Sequence, residues 1–189
     1  VTVGVEWSQS GDSGLIPEYA APNSFYSLYD DTDIRKTAYF KLLPDSNNDL
    51  YNAITKYFGE AGQVNGIVDP KLIRKAEVLL NKAEAQYRSS NFSDADALQT
   101  LDELRSNRYA NFTSPAETGQ ALLDAILLER RLELAYESHR IFDLKRLGLP
   151  VERSETEGEF FDGTGTPAER TNLPASDYRF QLPIPQSQK

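Results

Sequence analysis

The sequence predicts a mainly α-helical molecule, with paired helices as its scaffold, long irregular loops around them and a few short strands. Two observations carry that prediction. Apolar residues recur at intervals of three and four through most of residues 70–147, the period of an amphipathic helix. The runs also begin and end on capping residues, while Gly, Pro and Ser punctuate the chain on either side as loop. With 189 residues, the chain reads as one domain of three zones. Residues 1–69 form an aromatic-rich zone of loops and short strands, residues 70–149 the helical scaffold, and residues 150–189 an extended C-terminal segment.

The first zone holds half of the chain's aromatic residues before residue 60. It opens on "VTVGVEW", where alternating Val1, Val3 and Val5 predict a short strand. "SQSGDSGLIPEYAAPNSF" then reads as loop, and "SNNDLYNAITKYF" as a short helix.

The scaffold zone opens with Asp69 as N-cap and Pro70 at the first helical position. Leu72, Ala76, Leu79 and Ala83 follow at steps of four, three and four, flanked by Ile73, Leu80 and Tyr87, which gives a wide buried stripe. "SSNF" turns the chain. Ser93 caps a second helix, with Asp96 in capping-box position, and Leu98, Leu101 and Leu104 continue the period. So short a turn makes the two helices antiparallel, with small Ala83 and Ala97 allowing close approach. The pair resembles a tetratricopeptide repeat, although a generic helical hairpin fits the same residues. A third helix spans about Pro115 to Leu147, interrupted near Gly119, and ends on Lys145, Arg146, Gly148 and Pro150. The last zone closes on "YRFQLPIPQSQ", a Pro-flanked run expected to be extended.

On a helical wheel at about 100° per residue, Leu128, Leu132, Ala135, His139 and Phe142 share one face of that third helix. Leu127, Leu134, Ile141 and Leu144 form a second stripe beside it. The wheel predicts a helix packed from both apolar sides. Glu129, Arg130, Glu133, Glu137, Arg140 and Asp143 fill the remaining arc, with Arg130–Glu133 and Glu137–Arg140 spaced for i,i+3 ion pairs. Acids neutralised by neighbouring Arg are read as structural ions, and no catalytic residue is assigned. Glu137 and His139 point about 160° apart, which excludes a shared metal. His139 is expected to be held by Asp143 at i+4, so no metal ligand and no cofactor are assigned.

The net charge of −9 disfavours nucleic acid and anionic lipid as partners. The absence of Cys excludes disulfides, thiolate metal sites and a Cys nucleophile. No stretch approaches the length of a membrane-spanning helix. The chain starts at Val1 and lacks Met, so it is expected to be a piece of a longer protein.

"ERRLELAYESHRIFDLKRLG" resembles the signature helix of the SusD/RagB family of surface glycan-binding lipoproteins of Bacteroidota. The matching positions are Glu129, Arg130, Glu133, Leu134, Tyr136, Glu137, Arg140, Asp143, Leu144 and Arg146. The departures are Ser138, where Gly is usual, and Ile141 and Leu147, where aromatics are frequent. Three further segments agree in order: "YDDTDIRKTAYF" at Asp33 and Arg35, "IRKAEVLLNKAEAQYR" at Arg74, Ala76, Glu77, Leu80, Ala83, Glu84 and Ala85, and "QLPIPQSQ" at Pro183, Ile184 and Pro185. The resemblance implies the C-terminal part of a SusD-like α-α superhelix, non-catalytic and facing outward from the outer membrane. Its lipid anchor would lie in a missing N-terminal part. It implies a SusC-like TonB-dependent transporter as partner, to which oligosaccharide or another nutrient is delivered.

Sugar rings stack on aromatic faces while polar side chains satisfy their hydroxyls. Trp7, Tyr19, Phe25, Tyr26 and Tyr29 stand among such polar residues and are the candidate ligand contacts. The alternative reading is a tetratricopeptide-type protein-interaction module with no glycan ligand. A glycoside hydrolase ranks behind both.

Overall fold

The computed structural model describes residues 20–44, 47–56, 72–169 and 171–180. The fold is mainly α-helical with a few short strands. Two short helices come first, α1 (Asn23–Tyr26) and α2 (Ile34–Tyr39), the second capped by Asp33, whose carboxylate accepts from the Arg35 N–H. A hairpin follows: β1 (Phe40–Pro44) pairs antiparallel with β2 (Leu50–Ile54), in register from Phe40 opposite Ile54 to Pro44 opposite Leu50.

The strand β2 overturns the short helix expected over residues 46–58. On its other edge Ala20 bridges Ala53, and the Ala21 N–H donates to Asn52 O at 2.9 Å. Tyr51, Asn52, Ala53 and Ile54 are all buried. A strand covered on both faces has no polar alternation to betray it, so its pattern can pass for a helix.

The scaffold is the hairpin of α3 (Lys75–Arg88) and α4 (Asp94–Arg105). Ser93 and Asp96 form the expected capping box. Ala83 and Ala97 are fully buried where the helices approach, and Leu80, Leu101 and Leu104 fill the space around them. One buried polar link crosses the pair: Thr100 Oγ1 donates to Gln86 Oε1 at 2.7 Å. The predicted start of α3 needs correcting. Arg74 is the N-cap, in extended backbone, and Leu72 and Ile73 are 85% and 78% exposed ahead of it. The Arg74 guanidinium is held by Glu133 and Glu137, which fixes this residue outside the helix. Asp69 and Pro70 lie outside the described residues.

The predicted third helix is two helices, α5 (Gly119–Glu133) and α6 (Arg140–Leu147). Gly119 is the first residue of α5, with φ +56, and the break falls instead at residues 134–139, where Tyr136 and Ser138 both take φ +63. Gly148 closes α6 in the left-handed conformation, and the Leu149 N–H returns to Leu144 O. The break ends the continuous wheel, and within α5 itself cations from other segments bury the charged arc. Glu129 and Glu133 are buried, while Leu128, Ile141 and Phe142 are exposed, Phe142 by 63%.

Beyond α6, β3 (Val151–Glu152) pairs with β4 (Asn172–Leu173). A Cβ on Gly158 would strike the backbone of Thr164 and Gly165, so this loop closes only over glycine. The expected extended run starts as a 3-10 turn at Tyr178–Phe180. The rest of that run and the Val1–Val5 strand lie outside the described residues.

Candidate functional site

The buried stripe of α5 changes chemistry halfway along. Leu122, Ala125 and Ile126 face the α3–α4 hairpin, but Glu129 and Glu133, next on the same stripe, meet a cluster of cations. Glu133 receives Arg74 (2.8 Å), both ends of the Arg108 guanidinium (2.8 and 3.0 Å) and Arg35 (3.2 Å). Glu129 receives Arg35 (2.9 Å), Arg105 (3.2 Å) and the Tyr109 hydroxyl (2.5 Å). Arg35 is itself buried and is forked by Asp33. Burial alone would raise the Glu133 carboxyl, but the Arg108 and Arg74 hydrogen bonds outweigh it and hold the pKa at about 2.

The same groups fix the break between α5 and α6. A helix end leaves carbonyls without intrahelical donors. Here Tyr29 OH donates to Leu132 O (2.8 Å), Lys56 to Glu133 O (2.8 Å) and Ala135 O (2.9 Å), and Arg74 to Glu133 O (3.0 Å). Lys56 also pairs with Glu137 and lies 4.2 Å from the Tyr39 ring centroid. Its burial pulls the ammonium down to about 8, against the opposing pull of Glu137.

A second network ties α6 to α3. Arg130 Nε reaches both oxygens of Asp143 at 2.8 Å. Arg146 bridges Asp143 (2.8 Å) and Glu84 (2.6 and 2.8 Å). The expected Arg130–Glu133 and Glu137–Arg140 pairs do not form: Arg130 turns to Asp143, Glu133 takes Arg35, Arg74 and Arg108, and Glu137 takes Lys56 and Arg74. His139 lies 3.9 Å from Glu77 rather than against Asp143, which Arg130 and Arg146 occupy. Of the seven signature charges, Glu129, Arg130, Glu133, Glu137, Asp143 and Arg146 are ion-paired. Among the described residues, Arg140 has no carboxylate within salt-bridge distance.

Beside the break lies a cleft of about 850 Å³, walled by α1, β2, the end of α5, the start of α6 and the loop from Pro150 to Glu159. Phe25, Tyr51 and Tyr136 are its aromatic lining, and Arg131, Arg140 and Arg153 line it as cations. Of the aromatics singled out in the sequence, only Phe25 lines the cleft among the described residues. Tyr26 packs edge-on against Phe40, with Lys36 5.1 Å from its ring centroid. Tyr29 is 1% exposed, enclosed by Phe25, Tyr39 and Phe40, and presents no face to a ligand. Trp7 and Tyr19 lie outside the described residues. Sequence reasoning missed Tyr51, Tyr136 and Arg131 on the cleft, and Lys56, Arg105 and Arg108 in the ionic cluster. Only Tyr136 carried a signal, as a position of the signature helix.

The chain matches the SusD family over residues 46–188. It belongs to the SusD family. Solved structures share the fold along almost the whole chain. A candidate sugar binding protein of Bacteroides vulgatus is 26% identical with a TM-score of 0.77, over 98% of this chain and 39% of its own. A SusD superfamily protein of Bacteroides thetaiotaomicron is 25% identical with a TM-score of 0.74, over 98% and 41% respectively. A SusD-like carbohydrate binding protein of Bacteroides vulgatus, 24% identical, shares the fold with a TM-score of 0.68 over 97% and 42%. The SusD-family chain therefore spans about two fifths of the length of these structures. Among curated proteins, none matches it. The resembling segments converge in space: Asp33 and Arg35 meet Glu129 and Glu133, Arg74 meets Glu133 and Glu137, and Glu84 meets Arg146.

Proposed function

We propose that this chain belongs to a non-catalytic surface protein that captures oligosaccharide, or a related nutrient, at the outer membrane and delivers it to a SusC-like TonB-dependent transporter. The observation that carries this reading is the match to the SusD family over residues 46–188. The cleft supports it: it joins apolar aromatic surface to several hydrogen-bonding side chains, the combination that holds a sugar ring by its C–H face and its hydroxyls. The similar Bacteroides vulgatus structure described as sugar binding agrees with it. The charged groups under α5 are read as architecture and not as reacting groups, since each is held by an opposite partner. Trp7, Tyr19 and Phe25 are the proposed aromatic contacts, with Tyr136 added from the cleft, whose wall buried Tyr51 backs.

Calorimetric titration of a glycan panel tests the reading. Saturable binding of at least one oligosaccharide, recovered uncleaved, is the expected result. Release of reducing ends would make the protein a hydrolase. Silence across the panel with tight binding to a transporter barrel would favour the interaction-module reading. Phe25→Leu keeps apolar volume but removes the ring, and should weaken binding roughly threefold to tenfold, the worth of one aromatic contact.

A further inference from the structure

We infer that Arg131 and Arg140 form an oxyanion subsite in the cleft, so that the captured oligosaccharide is an acidic one carrying uronate carboxylates. The inference rests on the reading of this cleft as the nutrient-binding surface. Its ground is a contrast within the molecule. The chain is acidic overall, with a net charge of −9, and Arg35, Arg74, Arg105, Arg108, Arg130 and Arg146 are each committed to carboxylates. Arg131 and Arg140 are not. Both line the cleft and are exposed, and among the described residues neither has a carboxylate within salt-bridge distance.

The carboxylates sharing the cleft wall are mostly engaged elsewhere. Asp143 is held by Arg130 and Arg146, Glu157 by the Ser24 N–H and hydroxyl, and Glu159 by the Thr166 N–H. Glu152 is exposed on β3. Both guanidiniums border the same cleft. Lost water, and then the Arg131 charge, hold Arg140 below the ordinary guanidinium value against an opposing pull from Asp143. Two like charges bordering one cleft, with no carboxylate within salt-bridge distance among the described residues, favour an anion bound there.

The geometry favours a ring-borne carboxylate. The Arg131 guanidinium lies 5.2 Å from the centroid of Phe25, stacked on an apolar support. A planar guanidinium fork matches a carboxylate by two parallel hydrogen bonds. The apolar lining beside it suits the C–H face of the sugar that carries the carboxylate.

The test compares affinities of this chain for oligogalacturonate, for its methyl-esterified neutral counterpart and for a sulfated oligosaccharide of equal length, at low and at high salt. Oligogalacturonate should bind roughly tenfold or more tighter than the ester, the worth of a charge-assisted bidentate pair. High salt should narrow the gap. In the double variant R131Q/R140Q, checked for an unchanged melting temperature, the acid-to-ester ratio should fall towards one. Single R140Q provides the same readout if the double variant does not fold. Equal binding of acid and ester, or a ratio untouched by the substitutions, overturns the subsite and leaves glycan capture standing. Preference for the sulfated ligand alone overturns the uronate assignment. No binding of any glycan, neutral panel included, overturns the capture reading and the subsite with it.

Discussion

Along α5, Leu122, Ala125 and Ile126 lie in an interior of Leu and Ala, whereas Glu129 and Glu133 lie in one of guanidinium and carboxylate. The two interiors are built on one helix face, yet they depend on different physics. Apolar burial is non-directional and roughly proportional to area, so it tolerates local repacking. The ionic interior is directional. Glu133 fits only because three guanidiniums arrive at set angles, and its carboxylate and Arg35 have lost their water. Such a cluster gains little against an apolar equivalent, but removing one member leaves the others buried and uncompensated.

The largest effect that separates the two is therefore Glu133→Ala, which should cost about 4 kcal/mol in chemical denaturation. Leu101→Ala in the apolar interior should cost about 3 kcal/mol, by transfer and cavity terms. A loss below about 1 kcal/mol for Glu133→Ala would mean that the ionic interior relaxes as freely as an apolar one.

Acid sharpens the same contrast. The folded Glu133 pKa of about 2 lies below its ordinary value of 4.5. Its contribution is thus complete above about pH 4.5 and is lost as pH falls towards 2. Over that window it amounts to about 3 kcal/mol. Amide exchange at the lower end should show α5 and α6 opening near their junction before the α3–α4 hairpin, whose contacts carry no titrating partner at their centre. Simultaneous loss of protection in both would show one cooperative unit instead of two.

The smallest effect concerns the junction itself. Ser138 holds φ +63, a conformation costly for any residue with a Cβ. Ser138→Gly should raise stability by roughly 1 kcal/mol, read as an upward shift in melting temperature. No shift would mean that local contacts of the Ser side chain already offset the backbone cost.

The sequence was most readable where structure is local. Ser93 with Asp96, the small pair Ala83 and Ala97, and the Gly148 stop each act within a few residues, and each appears as expected. The break at residues 134–139 was hidden because its cause is remote: Tyr29, Lys56 and Arg74 supply the donors that end α5, from distant points along the chain. Its one local trace is Ser138, at a position where the family usually has Gly. The wheel placed the charges opposite the apolar stripes, as it would for a helix with a solvated face. No periodicity argument distinguishes a solvated charged arc from a buried one whose partners come from other segments. The cleft was half legible: Phe25 stood in the aromatic zone, but Tyr51 belongs to the strand mistaken for a helix, and Arg131 draws its interest only from lacking a partner.

The capped end of α5 also bears on the order in which the molecule assembles. Tyr29 waits 103 residues for Leu132, and Arg35 waits 94 and 98 for its two glutamates. The α3–α4 hairpin, by contrast, closes over a short turn. Contacts that span long loops carry a larger closure entropy and tend to form late. The helical hairpin should thus act as the folding seed, and the junction as the clasp that fastens only after nearly all of the chain has collapsed around it.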